Sequence, residues 1–128
     1  MIRGTTEEFR FKIPYTQEEV QSFEITFWQK GLYGTAEHPF PINKTELTPG
    51  VSWYDANTIK VVLTADETLR FTDKLKGYAQ FAGRTINNFT FSHIPTTYTV
   101  YPLRTSIDVD DIMPSKDGII ILDGDVVS

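Results

Sequence analysis

The stretch MIRGTTEEFRFKIP, residues 1–14, alternates almost from its start. Phe9, Phe11 and Ile13 are apolar, and the residues between and before them, Glu8, Arg10 and Lys12, are charged. A period of two puts successive side chains on opposite faces of an extended chain, so this is a half-buried strand with an aromatic inner row. The same period returns downstream. In SFEITFWQKG (22–31), Phe23, Ile25 and Phe27 alternate with Glu24 and Thr26, and in TIKVVLT (58–64), Ile59, Val61 and Leu63 share one face. VSWYDANTIKVVLT reads as two strands around Asp55-Ala56-Asn57, and TELT as a short strand before the Pro49-Gly50 turn. KGYAQFAG, INNFTFSH and TTYTVYPL are three more strands, with Tyr98 and Val100 the inward pair of the last.

Helical signals are short. Thr16 precedes Glu19 by three residues, and Thr64 precedes Glu67 by three, each the spacing of a capping box over a single turn. After the second box, Leu69 and Phe71 are placed to drop onto a core. LYGTAEHPFPINK (32–44) carries two prolines close together and reads as a long surface connection. About seven to eight short strands, with turn signals between them and no long helical period, predict an all-β fold: an immunoglobulin-like antiparallel β-sandwich with one or two short helical turns. The Cys-Trp-Cys pattern of antibody domains is absent, so the expectation concerns architecture only.

At 128 residues the chain is one domain's worth of sequence, with a core large enough to need no staples. There are no cysteines, which excludes disulfides and thiolate chemistry. The net charge of −5 is uneven: Asp108, Asp110, Asp111, Asp117, Asp123 and Asp125 face one base, Lys116, after residue 104, which leaves 11 acids and 11 bases before it. We therefore divide the chain into a β-sandwich, 1–104, and an acidic C-terminal extension with an extra strand, 105–128. No basic stripe invites phosphates, which argues against nucleic acid. No run reaches membrane-spanning length, and no basic-then-apolar leader opens the chain, so neither a membrane nor export by a standard signal peptide is expected.

Catalytic chemistry is sparse. His38 and His93 are 55 positions apart and in no metal-binding spacing. Adjacent Glu7 and Glu8 point to opposite faces of a strand, and Glu18-Glu19 suits a helix N-terminus. Counting a calcium loop from Asp108 puts Met113 and Ile119 where Gly and Glu are required. Phosphate-cradling glycines are missing, and the triplets at Asn43 and Asn88 are coincidental glycosylation patterns. The expectation is no catalytic residue, no metal and no cofactor. Two sets of residues remain. Trp28, Trp53 and Tyr54 are candidates for stacking on a carbohydrate, Trp28 because it breaks the inner row and faces away from it. Ile119, Ile120, Ile121 and Leu122 form a compact apolar strand between Asp-Gly turns, a candidate for pairing with a neighbouring subunit.

MIRGTT with FRFKIP, then VQSFEITFWQKG, then TIKVVLTADETLRF, resembles a group of small proteins from bacteriophages and prophages of Gram-positive gut bacteria. Those proteins open with Met-Ile-Arg-Gly-Thr-Thr and carry a midway Leu-Thr-x-x-Glu-Thr-Leu-x-Phe, here Leu63 to Phe71. Gly77 to Ala82 and Ser92 to Pro102 match their later strands. The pattern is similar, more distantly, to the N-terminal β-sandwich module of phage baseplate upper proteins. The loop from Leu32 to Gly50 and the acidic tail are longer here, and no catalytic residue is carried over. The resemblance implies a non-enzymatic tail or baseplate component, homo-oligomeric, made in the bacterial host cytoplasm and then carried in the virion beside other phage structural proteins. Arg3 and Gly4, which strand physics does not require, then become candidate assembly contacts.

Overall fold

A computed structural model describes residues 1–102, 119–122 and 126–127. The acidic residues of the tail and the 104/105 boundary lie outside the described residues. Up to Tyr98 the chain forms eight strands in two antiparallel sheets of three and five. The elements are β1 (Glu7–Lys12), a 3-10 turn (Gln17–Glu19), β2 (Val20–Trp28), β3 (Ile42–Thr45), β4 (Val51–Asp55) and β5 (Thr58–Leu63). They continue with α1 (Ala65–Thr68), β6 (Gly77–Thr85), β7 (Thr90–His93) and β8 (Thr96–Tyr98). The first sheet runs β4-β5-β1, and in the second β7 and β8 both pair with β6, which continues to β2 and β3. Beyond them β9 (Ile119–Leu122) adds to β1 in parallel, and β10 (Val126–Val127) adds to β7.

The alternation does the folding. Phe9 lies opposite Val61 and Phe11 opposite Ile59, and all four are fully buried. In the facing sheet Ile25 lies opposite Phe81 and Phe27 opposite Ala79, again fully buried. Rings close the gap between sheets: Phe9 meets Phe27 edge-on at 4.9 Å, and Phe11 lies 6.1 Å from Phe81. Aromatic pairs of this kind add to what their area alone contributes. Gly83 keeps the layer closed, since a Cβ there would come within 2.7 Å of the Phe91 ring.

Several local expectations shift. The strand after the proline-rich connection is Ile42–Thr45, while 46–50 turns, so TELT is mostly turn and INKT is the edge strand. The connection itself is not wholly on the surface, because Phe40 is buried against Phe71, edge-on at 4.9 Å. Phe71 drops onto the core as expected, but Leu69 stays 42% exposed. One turn of helix aims only one of two residues spaced by two inward. β7 and β8 are one strand's path along the same edge of β6, interrupted at Ile94-Pro95, where proline has no N–H to donate.

Tyr98 packs edge-on against Phe9 at 5.1 Å, and its buried hydroxyl has no partner among the described residues. Burial pushes that hydroxyl's pKa up. An unpaired buried donor costs free energy, so Tyr98→Phe should stabilise the fold by about 1 kcal/mol in a urea titration. A loss of that size instead would mean that the hydroxyl is bonded.

Candidate functional site

The most constructed region lies at the end of the sandwich where β1 starts and β5 finishes. Thr64 caps α1: its hydroxyl accepts from Glu67 N at 3.2 Å, and Glu67 Oε1 accepts from Thr64 N at 2.9 Å. The same carboxylate reaches across to the other sheet, where Lys44 Nζ on β3 lies 2.9 Å from Oε1 and 2.7 Å from Oε2. Lys44 is buried, and the pair therefore joins β3 to the turn that follows β5.

The opening hexapeptide docks on the same turn. Gly4 N donates to Thr68 Oγ1 at 2.9 Å, and that hydroxyl donates to Thr5 O at 2.8 Å. The Arg3 guanidinium donates through Nε to Phe71 O and through Nη2 to Leu69 O at 3.1 Å. It satisfies carbonyls that a one-turn helix leaves open at its C-terminal end. Glu7, buried at the head of β1, accepts from Ile2 N at 2.8 Å and Thr5 Oγ1 at 3.0 Å. Gly4 sits at φ +80°, a turn position suited to glycine. Ile2 bridges Tyr101 in parallel, which ties the hexapeptide to the segment after β8.

Gln29, buried just beyond β2, completes the end. Its Nε2 donates to Thr72 O at 2.7 Å and Leu75 O at 2.9 Å, while its Oε1 accepts from Thr72 N at 2.8 Å. Arg70 pairs with Asp66 at 3.0 Å and donates to Pro39 O at 3.2 Å, which holds the proline-rich loop. Arg3 and Gly4, singled out from the sequence as assembly contacts, thus make their contacts within the chain. The residues that sequence reasoning missed are Glu7, Gln29 and Lys44; each is polar and buried, Gln29 and Lys44 against partners distant in sequence and Glu7 against the folded-back hexapeptide.

The other candidates are scattered. Trp28 faces outward, half-buried, and stacks on Tyr78 with centroids 5.5 Å apart and planes 14° apart. Trp53 turns inward against the core, edge-on to Phe23 at 6.2 Å, which removes it from a surface stacking role. It lies opposite the buried Ile59, and that register assigns it to the inner face. Tyr54 is 53% exposed, with the Arg10 guanidinium 3.8 Å above its ring, so one ring face is already covered. Ile119, Ile120, Ile121 and Leu122 pair on β1 of their own chain, with Leu122 buried.

His38 is exposed in the loop, whereas His93 is buried between Phe11 and Phe81 and donates from Nε2 to Lys12 O at 2.9 Å. Glu8 pairs with Arg10 at 2.7 Å on the outer face of β1, across the strand from the buried Glu7. Among the described residues no three His, Asp or Glu side chains gather in a metal-binding group, and no helix is long and apolar enough to cross a membrane. No family model, no curated protein and no solved structure matches this chain.

Burial raises the Glu67 carboxyl, but the Lys44 ammonium and the Thr64 hydrogen bonds outweigh it and hold Glu67 below the usual carboxylate range. The stabilisation is therefore complete above the unfolded carboxyl's pKa and is lost as pH falls through the lower, folded value. Glu67→Gln should cost about 3 kcal/mol at neutral pH, because it strands a buried ammonium, and should flatten this part of the acid dependence. Urea titrations of both proteins from neutral to acid pH check this. Parallel pH curves would contradict it.

Proposed function

We propose that this chain is a non-enzymatic structural and interaction protein, a phage or prophage tail or baseplate component built on an immunoglobulin-like sandwich. It works by assembling with copies of itself and with other structural proteins, after synthesis in the host cytoplasm. One observation carries the reading. Two of the blocks that bear the resemblance, residues 1–6 and 63–71, meet at α1, where Arg3, Gly4 and Thr68 bond to one another's segments. These contacts make one end of the fold a rigid body, which suits a part that works through its surfaces. The interior polar side chains support the same reading, since Glu7, Gln29 and Lys44 all act as internal ties.

The assembly contact follows from the edge strand. Within one copy β9 pairs with β1 of its own chain, and among the described residues no strand covers its other edge; in the proposed assembly that pairing is exchanged, so that Ile119–Leu122 of one copy takes β1 of the next. Light scattering on the purified chain tests this. The expected result is a mass above the monomer that falls to the monomer when Ile120→Asp and Ile121→Asp are combined. A monomer at every concentration, alone and when co-expressed with the products of the flanking genes, would contradict the reading.

A further inference from the structure

The outer face of the sheet formed by β3, β2, β6 and the β7–β8 edge carries a second, independent pattern. Registers align side chains across strands in rows that alternate with the buried Phe23, Ile25 and Phe27. The first row places the Trp28–Tyr78 stack beside Thr97. The next row is Asn43, Thr26 and Gln80. Further along, the small residues Ser22, Ala82 and Ser92 floor an open groove of about 750 Å³ that Glu24, Glu46 and Arg84 also line. From Trp28 to Ser22 along β2 the face is about 20 Å long at ordinary strand rise.

The chemistry of this face is specific in what it lacks and in what it offers. Ala82 is the only aliphatic side chain within these rows, while the exposed Leu47 and Ile94 stand apart at the two edges of the sheet and form no continuous apolar stripe for a helix. Glu24 and Arg84 carry opposite charges within them, so no cationic strip tracks a phosphate backbone. What remains is an aromatic pair beside neutral hydroxyls and amides. Gln80 Nε2 is fixed by His93 O at 3.0 Å, and its carbonyl oxygen has no partner among the described residues. Thr26 and Asn43, opposite each other across β2 and β3, make no side-chain hydrogen bond among the described residues either. Ring faces suit the C–H face of a pyranose, and ungrouped hydroxyls and amides suit its hydroxyl groups. The Lys30 ammonium lies over the Tyr78 ring, 5.4 Å from its centroid. From this arrangement we infer that the outer face binds a neutral polysaccharide chain lying across the strands' length, with Trp28 as its stacking residue and Asn43, Thr26 and Gln80 as its hydrogen-bonding row.

This inference goes beyond the assembly reading and does not depend on it, because the face and β9 are different surfaces. The test is affinity electrophoresis of the whole chain through gels holding hydroxyethylcellulose, xylan, glucomannan or amylose, followed by fluorescence titration with the retarding polymer. Trp53→Phe leaves Trp28 as the reporting indole. The expected result is retardation by at least one polymer, unaffected by added sodium chloride and preserved in Trp53→Phe. Trp28→Ala should weaken it about tenfold or more, and Thr26→Ala, a substitution with little to unfold, should weaken it severalfold. No retardation in any gel, retardation that salt abolishes, or equal retardation of Trp28→Ala and Thr26→Ala would overturn it.

Discussion

The contact on which one whole end of the molecule depends is the single helical turn at Ala65–Thr68 and the residues around it. A β-sandwich whose sheets touch only through apolar rings can slide, since hydrophobic contact has no direction. Directed bonds at one end prevent that here. Thr68 takes the opening hexapeptide, Glu67 takes Lys44 from the other sheet, and the carbonyls of Leu69 and Phe71 take Arg3. Phe71, Phe40 and Tyr98 then fill the space beneath. Apart from the Tyr98 hydroxyl and Arg70 Nε, the polar groups buried here satisfy one another, so the end is both rigid and specific, and removing one member of a pair leaves its partner stranded.

Such an end leaves the broad faces and the strand edges for work. One edge receives β9, and the outer face of the larger sheet presents the Trp28–Tyr78 pair. In the proposed assembly these uses divide naturally: edges join proteins, while a flat polar face meets a polymer. The proline-rich loop is not a loose lid in this scheme, because Arg70 and Phe40 fasten it to the core.

The layers were legible from periodicity because each inward row is set by its own few residues. Phe9 and Phe11, Ile59 to Leu63, and Phe23 to Phe27 all fall on the face that alternation assigns them. Both capping boxes form at the positions their spacing indicates. What stayed illegible was long-range. Nothing within five residues of Lys44 or Gln29 announces a buried partner, since Glu67 and Thr72 come from other parts of the chain. The docking of Arg3 on Leu69 O and Phe71 O stayed hidden for the same reason, which left it a candidate assembly contact. Alternation places Trp28 on the face away from the inner row, as observed, whereas Trp53 needed the register, which sets it opposite Ile59 on the inner face. The edge strand at Ile42 hid behind Pro41, whose presence marked the whole segment as loop.

If the hexapeptide is a structural member of the fold, its backbone amides open only when the fold does. Amide hydrogen exchange followed by NMR measures this directly at Ile2, bonded to Glu7, and Gly4, bonded to Thr68. The account predicts protection at both amides close to that of Phe9 and Phe11 in β1, with the Gly4 protection lost selectively in Thr68→Val. Exchange at both amides as fast as in an unstructured peptide, while β1 remains protected, would contradict it.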